Sequence, residues 1–378
     1  MWRCERLDIH EKRKKERQLN AMLEDAPVFV KDYFRRIIRL SINTKIQYCY
    51  DLKLFFQFLV DHIDKFKGKD VSSLTYHDLN RITLEHIDQF LEYVTYYEAE
   101  VPVKNSQSTV VVKRENNEYG INRKMASLKS FFSNLYKIAL SKDRDDPNKL
   151  EKNLSPLIKL HQPKIKQRYI MDYDSIEGLL KAIQNGLGDE GKLNETQYNY
   201  IKNNTLNRDL CIISLLAETG MRISELVNIN IEDIDFKEKQ IKITRKGGKE
   251  EFVFYYFTEP FIKKYYEQRK QIVPKKGHEK AFFLSLQKRR ITTRAVQLMI
   301  DKYASIHTNK KITPHTFRRS FATNLYEQTR DVYLVSSLIG DTVAVTTRHY
   351  TKLKEDLKRE AVKGYLSGKI KLEDKPEE

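Results

Sequence analysis

The sequence predicts a mainly α-helical protein of two domains, with a small β-sheet confined to its second half. Three observations carry that expectation: a length of 378 residues, a scarcity of glycine early in the chain, and one strand-like alternation after Lys239. A chain this long favours two hydrophobic cores over one. Of 13 glycines only Gly68 and Gly120 fall within the first 170 residues, where apolar residues recur at helical spacing.

The N-terminal half is therefore expected to be all helical. Residues 1–24 are dense in charge of both signs and read as an extra helix or an arm. From a cap at Asn43 or Thr44, the residues Tyr48, Leu52, Phe55, Phe56 and Leu59 form one apolar stripe, with Lys45 and Lys53 off it. Between 120 and 140, Ile121, Met125, Leu128, Phe132 and Leu135 repeat the pattern, leaving Arg123, Lys124 and Lys129 for solvent or phosphate. This predicts a helical domain over 25–160. Pro156 and Pro163 then interrupt a basic stretch, and 161–168 reads as a linker to a second domain at 169–378.

In the second domain, 186–207 is rich in Gly, Asn and Glu and reads as a surface loop or insertion. The run Cys211 to Glu218 is almost wholly apolar and stops at Gly220, as a buried helix would. Arg222 opens the next helix, Met221 to Asn228, with Glu225 one turn on. Ile241 and Ile243 alternate, Arg245 to Lys249 supply a turn, and Phe252 and Phe254 alternate again: a hairpin with Lys246 near its tip. The turn lacks the spacing of a nucleotide-binding P-loop. Thr313-Pro314 is a cap followed by proline at the first helical position. Along that helix Phe317, Phe321 and Leu325 face the core, which puts His315 and Arg318 together on another face. A further helix, Val332 to Ile339, ends at Gly340, with Tyr350 close behind. Beyond it Leu353, Leu357, Ala361 and Tyr365 keep helical spacing on a basic tail.

Lys and Arg number 69 against 52 Asp and Glu, a formal charge of +17 that points to a polyanionic partner, nucleic acid first. Cys4, Cys49 and Cys211 stand at no metal-ligand or redox spacing, so neither metal nor cofactor is expected, and a reducing cytoplasm fits. The charged start, Met1 to Arg6, has no apolar segment of a signal peptide or anchor. Nor does any stretch approach the roughly 18 apolar residues that a spanning helix requires.

Taken singly, Arg222, Lys246, His315, Arg318 and Tyr350 each have an ordinary reading as surface, turn or core residues. In this order they resemble the tyrosine recombinase family, which carries an Arg, a Lys, a His-x-x-Arg pair, a His or Trp, and a Tyr. The matches are Arg222 in Thr-Gly-Met-Arg-Ile-Ser-Glu-Leu, Lys246 in Thr-Arg-Lys-Gly-Gly-Lys, His315-Thr-Phe-Arg318, and Tyr350 in Thr-Thr-Arg-His-Tyr-Thr. The step of 32 residues from Arg318 to Tyr350 is of the family's usual kind. Asn43-Thr44, Tyr50-Asp51-Leu52, Phe55-Phe56, Asn122-Arg123 and Phe131-Phe132 resemble the helical core-binding domain of the same family. The turn motif and the length look most like single-recombinase Xer resolvases of chromosome dimers.

The resemblance implies a fold: a SAM-like core-binding domain and an α+β catalytic domain that close as a C-shaped clamp on double-stranded DNA carrying a specific site. It implies a chemistry too. Tyr350 attacks a phosphorus to form a 3′-phosphotyrosyl link, and strand exchange proceeds through a Holliday junction without ATP or metal. His315 assists proton transfer, Lys246 protonates the departing 5′ oxygen, Arg222 and Arg318 neutralise the non-bridging oxygens, and Glu225 braces Arg222. Thr44, Lys45, Arg123, Lys124, Arg289, Arg290 and Arg294 are the implied DNA contacts. A homotetramer on two sites, tied together by the terminal helix, and a septal DNA translocase are the implied partners.

One position departs from the pattern. Leu338-Ile339-Gly340-Asp341 places an aspartate where the family has His or Trp. Two unit charges about 4 Å apart at an effective dielectric of about 20 repel by roughly 4 kcal/mol, so beside a phosphate Asp341 is expected to point away or to bind Arg or Lys. A slower or partner-controlled enzyme follows, with His349 as a weak substitute. The same residues also suit an integrase of a phage or conjugative element, and Asp341 leaves open a non-catalytic DNA-binding relative.

Overall fold

The structure is a computed structural model, and it describes residues 2–102, 108–143, 145–160, 169–185, 195–245 and 248–350. The chain divides into two compact units, Met1–Lys166 and Gln167–Glu378. The expected linker 161–168, the hairpin lysine Lys246 and the tail beyond Tyr350 lie outside the described residues.

The first unit contains helices α1 (Trp2–Glu24), α2 (Val28–Arg36), α3 (Ile42–His62), α4 (Tyr76–Asn80), α5 (Leu84–Thr95) and α6 (Glu118–Ala139), with strands β1 (Tyr96–Pro102) and β2 (Thr109–Glu115) between the last two. Its core is aromatic: Phe29, Tyr33, Phe55, Phe56, Phe90, Phe131 and Phe132 are fully enclosed. Tyr33 meets Phe131 edge-on with centroids 5.3 Å apart, and its hydroxyl shares a 2.8 Å hydrogen bond with Ser130. The expected stripe of α3 is the buried face, except that Tyr48 only packs at its edge. The helix begins two or three residues earlier than its sequence suggests, because Ser41 rather than Asn43 or Thr44 is the cap, accepting from the Thr44 N–H at 3.2 Å.

Two further expectations for this unit need correction. It is not all helical: Tyr96–Pro102 and Thr109–Glu115 pair antiparallel, Tyr96 opposite Glu115 and Pro102 opposite Thr109. Aromatic and β-branched residues there outweigh the helical spacing around them. Lys124 does not face solvent; it is 4 % exposed and donates to Asn116 Oδ1 at 3.0 Å. Burial pushes its ammonium pKa down, with Arg123 adding repulsion.

The second unit runs α7 (Tyr173–Gln184), α8 (Glu195–Asn204), α9 (Leu206–Thr219), α10 (Ile223–Asn228), β3 (Ile234–Asp235), β4 (Gln240–Thr244), β5 (Glu250–Phe254), α11 (Glu259–Lys270), α12 (Thr293–His307), α13 (Pro314–Thr329), α14 (Val332–Ile339) and α15 (Val343–Tyr350). Part of the stretch expected as a loop, 195–204, is thus helical. Helix α9 is buried on all sides, with Cys211, Ile212, Ile213, Leu215 and Leu216 inaccessible, because α7, α11 and α13 all pack on it. The sheet order is β3-β4-β5, with Ile241 opposite Val253 and Ile243 opposite Glu251. Ile241, Ile243 and Val253 face the core, which turns Phe252 and Phe254 outward. Among the described residues, no helix is long and apolar enough to cross a membrane.

Candidate active site

Two left-handed glycines place the charged residues of the second unit. Gly220 ends α9 at φ +58°, and a Cβ there would stand 2.5 Å from the Phe321 ring. The chain turns at once into α10, whose N-cap is Arg222. Glu225 reaches back to the Arg222 N–H at 2.8 Å and also accepts from the Arg222 guanidinium at 2.9 Å. Gly340 ends α14 at φ +64° and delivers Asp341 directly after it.

Arg318 enters from α13. Proline at the first position and the Thr313 cap fix that helix start, and Arg318 is 4 % exposed. Its guanidinium donates to the Gly220 carbonyl at 3.0 Å and the Ile339 carbonyl at 2.8 Å, so it ties the ends of α9 and α14 together. Arg222 and Arg318 then share one carboxylate. Asp341 Oδ1 accepts from Arg222 Nη2 at 2.5 Å, and Asp341 Oδ2 lies 2.7 Å from Arg318 Nη2. Arg222 also donates to the Gly340 carbonyl at 3.1 Å.

Arg245, a residue with no signal in the sequence, completes the network. It is 7 % exposed at the end of β4, and it donates to Glu225 at 3.0 Å, Ile339 O at 3.1 Å, Leu338 O at 2.8 Å and Glu251 at 2.9 Å. The hairpin that carries Lys246 is thereby fastened to α10 and to the end of α14. Lys249 and Arg245 together hold the Glu251 carboxyl below the usual carboxylate range.

His315 is the second residue of α13 and is exposed, one turn before the buried Arg318. Tyr350 closes α15, a helix that packs against α13 and α14 and is anchored by the buried Thr346. Its side chain, with those of Arg348 and His349, lies outside the described part of the structure. Two guanidiniums converging on one anion can bind the two non-bridging oxygens of a phosphodiester.

Comparison with known proteins agrees with that chemistry. Residues 192–356 match the model of the phage integrase family. Tyrosine recombinase XerC of Caldanaerobacter subterraneus is 30 % identical over 343 residues, covering 88 % of this chain and 84 % of the relative. The chain belongs to the tyrosine recombinase family. Tyrosine recombinase XerS of Lactococcus lactis is 28 % identical over 351 residues, 89 % of this chain and 94 % of the relative. The chain is thus a tyrosine recombinase of the Xer type, in a family that cleaves and rejoins DNA strands through a phosphotyrosine intermediate.

Solved structures share the fold. The XerH recombinase in its post-cleavage complex superposes with a TM-score of 0.59 at 18 % identity, over 86 % of this chain and 79 % of that one. The Tn1549 transposon integrase gives 0.54 at 17 % identity, over 89 % of this chain and 97 % of that one.

The expected DNA contacts fall into two groups. Arg289 and Arg294 are exposed beside the start of α12. Arg290 is spent on structure, donating to Val227 O at 2.9 Å, Ile229 O at 3.1 Å and Asn230 Oδ1 at 2.6 Å. In the first unit Thr44 bonds the Ser41 hydroxyl at 2.8 Å and Lys45 is half-buried. Arg123 pairs with the buried Asp51 at 2.8 Å while keeping 39 % of its side chain exposed, whereas Lys124 lies inside.

Proposed function

We propose that this chain is a site-specific recombinase that exchanges DNA strands between two copies of one recognition site and so resolves chromosome dimers before cell division. The observation that carries the reading is the convergence of Arg222 and Arg318, from separate helices, on the two oxygens of a single carboxylate. A phosphodiester presents the same pair of oxygens and the same single charge.

In the proposed reaction the Tyr350 phenol loses its proton and its oxygen attacks the scissile phosphorus. The bond to the 5′ oxygen breaks, and that oxygen takes a proton from Lys246. A 3′-phosphotyrosyl link keeps the energy of the broken ester, so the 5′ hydroxyl of a partner strand can reverse the step by the same route. His315 assists proton transfer, and Arg222 and Arg318 stabilise the charge that gathers on the non-bridging oxygens. Glu225 and Arg245 act behind them by holding the Arg222 guanidinium in place. Replacing Arg318 by lysine is expected to slow cleavage by roughly 100- to 1,000-fold, since an ammonium cannot reproduce the fork.

Strand exchange through a Holliday junction requires a homotetramer on two duplex sites. In this reading the first unit is the core-binding domain, contacting DNA with Thr44, Lys45 and Arg123, while Arg289 and Arg294 add phosphate contacts from the second. A cytoplasmic setting and a septal DNA translocase as regulator belong to the same proposal. The names XerS and XerC among the relatives support dimer resolution. The Tn1549 integrase among the structural neighbours supports a second reading, an integrase of a mobile element.

A supercoiled plasmid bearing two copies of the candidate chromosomal site separates them. Dimer resolution predicts two smaller circles from this protein with no excision factor. Product only between unlike attachment sites would favour the integrase.

A further inference from the structure

We propose that Asp341 is a positioning residue that occupies the seat of the scissile phosphate in the DNA-free protein and is exchanged for that phosphate when DNA binds. The proposal rests on the recombinase reading of the site and goes further, because it gives the residue at the departing position a role of its own.

The geometry is that of an internal substitute for the substrate. One carboxylate oxygen is held by Arg222 Nη2 at 2.5 Å and the other by Arg318 Nη2 at 2.7 Å. The remaining bonds of both arginines go to Glu225 and to backbone carbonyls of Gly220, Ile339 and Gly340, which are parts of the frame. Asp341 is therefore the one partner of the pair, among the described residues, that a phosphodiester could replace oxygen for oxygen and charge for charge. A neutral histidine or tryptophan at this position would add a donor to a bound phosphate and could not hold the seat.

Two features make the exchange feasible. The Asp341 side chain is 15 % exposed, so it has a route to water without unfolding its surroundings. It also follows Gly340 in the left-handed region and precedes α15 by a single residue, Thr342. Its release thus removes the side-chain tie just ahead of the helix that ends in Tyr350, while its backbone N–H stays on the Ser336 carbonyl at 3.1 Å. While seated, Asp341 keeps two like-charged guanidiniums at the spacing one anion requires; once a phosphate takes its place, the same spacing serves catalysis. A ligand that binds only the vacated state has its apparent affinity lowered by the fraction of that state.

The test uses the full chain and its D341N and D341E variants, with orthophosphate as probe. Asparagine keeps the shape and removes the competing charge. D341N is expected to bind orthophosphate about ten-fold tighter or better, as for a vacated state populated about one part in ten in the parent. Its covalent trapping on nicked DNA should speed up when DNA is limiting, and D341E should return phosphate affinity towards the parent value. Unchanged or weaker phosphate binding by a D341N protein that melts like the parent overturns the proposal. Amide exchange of the parent protein guards against a variant that fails to fold. Orthophosphate, at matched ionic strength, should quicken exchange across Asp341 to Thr346, and no change at saturation counts against the seat. If the parent and both variants all bind phosphate as expected but never form an adduct on any DNA, the recombinase reading fails and the phosphate seat stands.

Discussion

Arg245 donates to Glu225 at 3.0 Å, and the same carboxylate holds Arg222 at 2.9 Å. Glu225 is 5 % exposed, so two guanidiniums from different elements compete for and share one buried anion. Arg245 therefore positions, through Glu225, the guanidinium of Arg222, which in the proposed reaction binds the phosphate. Removing one member of a buried, hydrogen-bonded charge set typically costs about 3–5 kcal/mol. Arg245→Ala is expected to lose stability of that order in urea denaturation and to slow DNA cleavage. Arg245→Lys should recover little of either, since one ammonium cannot serve Glu225, Glu251 and two carbonyls together.

Gly340 stands against the same guanidinium. A Cβ on it would lie 2.6 Å from Arg245 Nε, and φ is +64°. Gly340→Ala thus combines left-handed strain of about 1–2 kcal/mol with displacement of Arg245. Gly68→Ala, at φ +79° with nothing within 4 Å of the new methyl, carries only the strain. Thermal melting should show the larger loss for Gly340→Ala, and cleavage should fall in that variant alone. Equal losses would mean that Arg245 yields freely.

The arginines near α12 should separate by salt dependence. Exposed Arg289 and Arg294 are expected to act on phosphates, so alanine at either should lower the slope of log affinity against log salt by about one. Arg290→Ala should leave the slope intact and reduce stability, because Arg290 holds Val227, Ile229 and Asn230.

Burial governs the thiols. Cys211 is inaccessible and its pKa is raised well above normal, while burial pushes Cys49 up to about 11 against a modest pull from Lys53. Neither should react with iodoacetamide at pH 8 in the folded protein. Because the unfolded thiols release protons first, the stability they favour is intact below the ordinary thiol pKa and is lost as pH rises towards 11. Denaturation midpoints should fall between pH 9 and 11, and a Cys49→Ala variant should fall less.

Much of this molecule is legible in its sequence. The stripe Leu52, Phe55, Phe56 and Leu59 is core, the apolar run ending at Gly220 is a buried helix, and Thr313-Pro314 starts α13. Each is a local pattern whose period or turn chemistry determines the outcome. What escapes depends on partners from outside the residue's own helix or turn. Arg245 looks like any turn arginine until Leu338 and Ile339 arrive from the far end of the unit. Lys124 looks solvated until Asn116 is folded over it. Of the two outcomes expected for Asp341, pointing away or binding Arg or Lys, the fold shows the second, with both Arg222 and Arg318 as partners.

In the proposed reaction Tyr350 is the nucleophile of a DNA-cleaving site built on Arg222 and Arg318. Its most direct measurement is denaturing electrophoresis of the protein after incubation with nicked suicide DNA carrying the cognate site. A covalent protein–DNA adduct is expected with the parent chain and none with Tyr350→Phe, although both bind the DNA. Tight binding by the parent chain with no adduct, or an adduct that persists in Tyr350→Phe, would contradict it.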